Sequence, residues 1–221
     1  MLLPIGDNNI KGGYYPVFSY GFIVINIAIF LYQLSLGEYI GNFLTYYGAI
    51  PVEIRHGQDL FTLFTSMFLH GGWAHLLGNM LFLWIFADNV EAIIGSRRFV
   101  IFYFIGGLFA HALHIFLYPD SGIPTVGASG AISAVMGAYL VMFPSSKIKI
   151  LFFVIPFRIP AFIFLGVWII MQVTQGLDAL GLNVANVGVA YWAHIGGFIF
   201  GMIMGLLFRP RLKTADGRLS T

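Results

Sequence analysis

Six apolar runs decide what this chain can fold into: residues 17–34, 73–93, 99–118, 126–143, 160–173 with a few residues beyond, and 187–208. Crossing the hydrocarbon core of a bilayer as a helix takes about 20 apolar residues, and in lipid every backbone N–H and C=O must find its partner within the protein. Only helices and closed barrels achieve that. No strand alternation is evident, so the expected fold is an all-α polytopic membrane protein, a bundle of six transmembrane helices. The run 150–157 is also apolar, but Pro156, Arg158 and Pro160 interrupt it. A mid-span Arg costs at least about 2.5 kcal/mol, which starts the fifth span after Arg158. Composition agrees: 59% of the 221 residues are apolar and 9% are charged, against roughly 25% charged in a soluble domain. The bundle uses nearly all of the length, so residues 1–221 are expected to form one membrane domain, with 1–16 as a cytoplasmic N-terminal segment and 209–221 as a cytoplasmic tail. The opening residues lack the basic, apolar and small-residue succession of a cleaved leader, and none is expected.

The basic residues orient the bundle. With six spans, Lys11, Arg97, Arg98, Lys147, Lys149, Arg158, Arg209, Arg211, Lys213 and Arg218 share one side, and only Arg55 lies opposite. Positive charge collects on the cytoplasmic side, which puts both termini there and the connection 35–72 outside. Within that connection the apolar stretch 60–69 is too short to cross and is expected to lie in the interface. The formal charge of +2 comes without a basic block, so nucleic acid is not an expected partner. The lipid bilayer is one, and oligomeric state is not legible. The absence of cysteine removes thiolate nucleophiles and Cys-ligated metals.

Spans two, four and six all begin at the outer face and carry polar side chains to one depth. His75 and Asn79 lie near the start of span two, Ser129 near that of span four, and His194 near that of span six. At 1.5 Å rise per residue these positions sit roughly 5 to 10 Å below the interface. His75 and Asn79 are four apart and share a helix face. Ala193, Gly197 and Gly201 recur at steps of four, as do Ser129, Ser133 and Gly137. Small residues at this spacing let backbones approach closely, so spans four and six are expected to pack with Ser129 facing His194. A serine hydroxyl needs a base within hydrogen-bond reach before it can act as a nucleophile, and imidazole is the usual one. Asn79, His75 and the Ser129 N–H would serve as oxyanion donors. No carboxylate in the outer half of any span orients His194, which makes the expected catalytic site a dyad.

His111 and His114, three apart in span three, admit a weaker reading as metal ligands alongside His75 or His194. No His-Glu-x-x-His run or inward carboxylate accompanies them, so neither a metal nor another cofactor is expected. His56 and His70 read as loop or interface residues, and Glu91, at the inner end of span two, as a hydrogen-bonding anchor.

These residues are similar to the rhomboid family of intramembrane serine proteases. The resemblance runs from Asp7, Asn8 and Asn9, through His70-Gly-Gly-Trp-Ala-His75-Leu-Leu-Gly-Asn79 and Asp88-Asn-Val-Glu91, to the last span. The family's Gly-x-Ser-Gly motif falls on Gly127, Ala128, Ser129 and Gly130, which implies Ser129 as nucleophile. Its Ala-His-x-x-Gly-x-x-x-Gly helix falls on Ala193, His194, Gly197 and Gly201, which implies His194 as base. Its His-x-x-x-Asn element falls on His75 and Asn79. The implied fold is a six-transmembrane-helix rhomboid-like bundle. The implied activity is cleavage of single-span membrane proteins near the outer end of their helix, with access past span five beneath the outer loop 176–190. The expected setting is a prokaryotic cytoplasmic membrane.

Two features depart from the family pattern. Ser133 stands where many members carry an aromatic that stacks on the histidine, which leaves Tyr191 or Trp192 as candidates to orient the ring. The Trp-Arg pair of the first outer loop is missing between Ser35 and Gly72. The competing readings are a catalytically silent binder of membrane proteins and a His-lined metal transporter. The charge distribution makes a testable prediction: a cysteine placed in the loop 176–190 is modified by an impermeant reagent from outside the cell, and Ser145→Cys is not. Reversed labelling would invert the orientation.

Overall fold

The computed structural model describes residues 2–7, 15–181 and 189–209. Lys11, Arg211, Lys213 and Arg218, the Asn8-Asn9 pair, the loop residues 182–188 and the tail from 210 onward lie outside the described residues. In chain order the elements are β1 (Leu2–Gly6), α1 (Val17–Ser35), α2 (Ile40–Tyr47), α3 (Pro51–Arg55), α4 (Thr62–Thr65), α5 (Trp73–Ile94), α6 (Ser96–Leu117), α7 (Ser129–Met142), β2 (Lys147–Phe152), β3 (Ile155–Pro160), α8 (Ala161–Gly181) and α9 (Tyr191–Phe208). Five of the helices, α1, α5, α6, α8 and α9, are long and apolar enough to cross a membrane. The sixth, α7, is equally apolar but shorter. The molecule is thus a polytopic helical membrane protein, as the apolar runs predict.

The fourth span departs from expectation in length. The sequence places it at 126–143, whereas α7 has 14 residues, about 21 Å of helix against a hydrocarbon core of about 30 Å. Its start is delayed because residues 125–127 are committed elsewhere. Thr125 pairs with Ala49 in an isolated β-bridge, and the Gly127 N–H donates to the Ser66 carbonyl at 2.8 Å. Gly127 adopts φ +127°, which only glycine holds without strain. Ser129 therefore opens a short central helix among longer neighbours. Eleven of the 14 residues of α7 are buried, which places this helix at the centre of the bundle between α5, α6 and α9.

The predicted contact of spans four and six is the tightest in the protein. A methyl group on Gly197 would overlap the Gly130 carbonyl, and one on Gly201 would overlap the Ala134 carbonyl. From the other side, a methyl on Gly137 would strike the Phe198 carbonyl. Backbone meets backbone along the whole seam, which maximises dispersion where no hydrophobic driving force separates helix from lipid.

Glu91 acts as the anchor the sequence suggests. Its fully buried carboxylate accepts from the Ser19 N–H at 2.8 Å and the Ser19 hydroxyl at 2.6 Å, and also from the Phe18 N–H and the Ser96 hydroxyl. The first turn of α1 is thereby capped by a negative charge from α5, where orphan N–H groups and the helix dipole favour it. This contact also fixes the start of α1 beside the end of α5.

The expectation that no strand occurs is overturned. β1, β2 and β3 form an antiparallel sheet in that order, with Leu2 opposite Phe152 and Lys147 opposite Pro160. The alternation is present in Lys147-Ile148-Lys149-Ile150, where the two isoleucines are buried and the lysines exposed, but the apolar residues that follow mask it. Pro4, Pro156 and Pro160 all sit on the two edge strands, where a missing N–H breaks no ladder. Beside the sheet, Asp7 accepts from Asn89 Nδ2 at 2.8 Å and from the Tyr139 hydroxyl, which in turn accepts from the Ser146 hydroxyl at 3.0 Å. Burial pushes the Asp7 carboxyl up to about 6.

The α7–α9 seam yields a stability prediction. Gly201→Ala must force the backbones apart and should cost about 1–3 kcal/mol. Gly78→Ala meets nothing within 4 Å and should be neutral or gain up to about 1 kcal/mol of helix propensity. Melting temperatures of the two variants in one detergent check the contrast.

Candidate active site

Ser129 is the first residue of α7 and His194 the fourth of α9. The glycine seam sets the distance between these helices, and it brings Ser129 Oγ to 2.8 Å from His194 Nε2. The first N–H groups of a helix have no partner within it, so the Ser129 N–H is an available donor at the same end of α7. Ser133, one turn on, donates its hydroxyl to the Ser129 carbonyl at 2.6 Å and is buried. This is a back-bond to a carbonyl one turn earlier in the same helix.

The second wall comes from α5. Asn79 is buried, and its Nδ2 lies 2.9 Å from His70 Nε2. An amide nitrogen can only donate, so the His70 ring accepts through Nε2, and among the described residues the second Asn79 N–H has no hydrogen-bond partner. His75 lies in the same layer, its Nε2 against Gly127. A Cβ on Gly127 would stand 2.6 Å from His75 Nε2 and 3.6 Å from Ser129 Oγ, so this glycine keeps open the space between the two side chains. The long contact from the Gly71 N–H to His75 Nδ1, 3.5 Å, favours the ring proton on Nε2, facing that space. A cavity of about 680 Å³ joins Ser129, His194, Asn79, His75 and Trp168.

His70 lies in the loop before α5, as expected, yet it is fully buried and joins this layer. Gln33 of α1 holds its backbone on both sides, donating to the His70 carbonyl at 3.0 Å and accepting from the His70 N–H at 3.1 Å. Burial holds the imidazole down at about 3, so it stays a neutral acceptor for Asn79 at physiological pH. His111 points elsewhere, its Nε2 3.1 Å from the Ser66 hydroxyl, and the His114 ring packs on Tyr118. Among the described residues no three His, Asp or Glu side chains are grouped to hold a metal ion.

The orientation of His194 also differs from expectation. Trp192 donates its indole N–H to the Gly176 carbonyl at 3.1 Å, and among the described residues neither it nor Tyr191 stacks on the His194 ring. The ring instead meets α8: its Nδ1 is 2.8 Å from Gln172 Oε1, and the Trp168 ring lies 5.9 Å away at 36°. Both residues were hidden in an apolar span. Their signal was a polar Gln one helical turn after a Trp, a placement that in lipid needs a partner.

Short polar bridges between α7, α9, α8 and α5, around a cavity in a polytopic helical bundle, mark an integral membrane protein. Residues 57–211 match the Rhomboid domain, and the chain belongs to the rhomboid family. It is 31% identical over 187 residues to the Rhomboid protease GluP of Bacillus subtilis, covering 84% of this chain and 34% of that protein. It is 28% identical over 192 residues to Rhomboid protein 1, mitochondrial, of Saccharomyces cerevisiae, covering 84% and 51%. To RHOMBOID-like protein 4 of Arabidopsis thaliana it is 34% identical over 166 residues, covering 74% and 38%. The chain thus spans about half or less of the length of these curated relatives.

The buried His70 makes a pH prediction. The unfolded chain binds a proton near 6.5 and the folded one only near 3, so protonation favours unfolding and stability falls as pH drops through that window. His70→Gln keeps an acceptor for Asn79 but does not titrate there. Its melting temperature should fall less than that of the wild type between neutral pH and pH about 4.

Proposed function

We propose that this chain is an intramembrane serine endopeptidase that cleaves single-span membrane proteins near the outer end of their helix with a Ser129–His194 dyad. The observation that carries the reading is the 2.8 Å approach of Ser129 Oγ to His194 Nε2 at the head of the short helix α7, in a family that includes a protease relative. In the proposed reaction, Ser129 Oγ bonds to the scissile carbonyl carbon as its proton passes to His194 Nε2. The oxyanion is held by the Ser129 N–H, the second N–H of Asn79 and His75 Nε2–H. Collapse breaks the C–N bond, and the leaving amine takes the proton from Nε2. Water then attacks the acyl ester, gives a proton to Nε2, and releases the carboxyl product as the proton returns to Ser129 Oγ. No cofactor or metal enters any step.

The substrate carbonyl must be freed from its helix before Ser129 can reach it, so segments with helix-weakening Gly or Pro are the favoured substrates. The shortness of α7 supports water delivery to the acyl ester, because Ser129 lies at its outer end. In the proposed orientation both termini face the cytoplasm, and the basic residues Arg97, Arg98, Lys147, Lys149 and Arg158 lie at the end opposite Ser129.

Covalent labelling tests the reading. A small fluorophosphonate should label the wild type, and Ser129→Ala should abolish both labelling and cleavage of a single-span substrate at unchanged melting temperature. His194→Ala should lower the rate by about 10² to 10⁴-fold, and the wild-type rate should fall in acid as Nε2 becomes protonated. Asn79→Ala should lower turnover about tenfold or more with little change in melting, less than the ~10² to 10³ of a lost aqueous oxyanion donor. A Ser129→Ala variant that still cleaves would remove the proposal.

A further inference from the structure

The Gln172 side chain of α8 is 8% exposed and bridges two elements. Its Nε2 faces the Trp168 carbonyl one turn earlier, at 3.5 Å, and its Oε1 faces His194 Nδ1 at 2.8 Å. A carbonyl can only accept, so the end of the amide toward Trp168 must be the NH₂ and the end toward the histidine must be the oxygen. The reversed amide would set two oxygens against each other. An amide oxygen also only accepts, so the imidazole proton must sit on Nδ1. Nε2 is then left with a bare lone pair, 2.8 Å from the Ser129 hydroxyl. The Trp168 ring, 5.9 Å away and inclined at 36°, limits rotation of the imidazole about its Cβ bond.

We infer that Gln172 is the positioning residue for His194: its amide oxygen selects the Nδ1–H tautomer and, with the Trp168 ring, holds Nε2 on Ser129. This rests on the reading of His194 as the base. The same oxygen would face the positive ring once Nε2 has taken the serine proton, stabilising it without a buried carboxylate. Ser133 gives its hydroxyl to the Ser129 carbonyl, and the bond to His194 Nδ1 comes from a different helix, α8. The titratable side chains that bear on His194 are His75 from α5 and His114 from α6; neither accepts from Nδ1.

Two measurements test the inference, one without any need for activity. The imidazole ¹⁵N shifts of histidine-labelled protein, with His194 assigned by its absence in His194→Ala, should show Nδ1 protonated and Nε2 bare in the wild type. Gln172→Leu should lose that preference. An Nε2-protonated ring in the wild type would overturn the inference whatever the enzyme does. The second measurement is the rate of Ser129 labelling by a small fluorophosphonate across pH. Gln172→Leu should slow it by about tenfold or more at similar melting temperature. Gln172→Glu should restore labelling and move the acid limb of the profile to higher pH, because a carboxylate beside the ring favours the imidazolium. A packing role would change melting in both variants and leave the acid limb in place, and wild-type labelling by Gln172→Leu would equally refute the positioning role. A wild type that never labels, yet shows the Nδ1–H tautomer dependent on Gln172, would sink the protease reading and keep the positioning one.

Discussion

Everything at the candidate site depends on one contact, the close approach of α7 and α9 along glycines that leave no room for a methyl group. Ser129 and His194 are separated by 65 residues of chain, and nothing local brings them together. The seam does so because Gly197 lies on the Gly130 carbonyl and Gly201 on the Ala134 carbonyl, both within two turns of the hydroxyl. A wider interaxial distance of even 1 Å would stretch the 2.8 Å contact beyond hydrogen-bond range. Packing here sets chemical geometry as well as stability.

The second constraint is dielectric. A carboxylate beside the histidine would have to be carried into the outer layer of the membrane, where ionised side chains are costly. The polar groups gathered around Ser129 are neutral: an imidazole, two amides, a hydroxyl and a buried histidine kept unprotonated by its surroundings. Each is tied to a partner from another segment, which offsets most of the cost of burying it. The carboxylates are used at the other end, where Glu91 caps α1 and Asp7 joins the sheet to α5 and α7.

The legible part of this protein was the part written in period and residue type. Runs of apolar residues marked the helices, and the steps of four in Ala193-Gly197-Gly201 and Ser129-Ser133-Gly137 marked the seam. The common depth of His75, Asn79, Ser129 and His194 pointed to the polar layer, and Glu91 to an anchor. What stayed hidden has physical reasons. The sheet was masked because Lys147-Ile148-Lys149-Ile150 runs straight into Leu151, Phe152, Phe153 and Val154, and an uninterrupted apolar run carries no period. The burial of His70 was hidden because it depends on Gln33, 37 residues away. Gln172 and Trp168 went unseen because span five carries no motif, and only the arrangement of α8 against α9 gives the amide its partner. The start of α7 moved because loop pairings with Ala49 and Ser66, rather than hydropathy, decide where that helix begins.

The small sheet at the far end has a kinetic meaning. β1 pairs with β2 across a separation of about 150 residues, and β2 is made only after α7. A strand at Leu2–Gly6 therefore stays without its partner while the first four apolar helices are synthesised and inserted. Contacts of such high sequence separation form late, once the intervening chain has already lost most of its freedom. The β1–β2 ladder is in that sense a clasp: it joins Leu2–Gly6 to the connection between α7 and α8, and can close only after the first four apolar helices have been made.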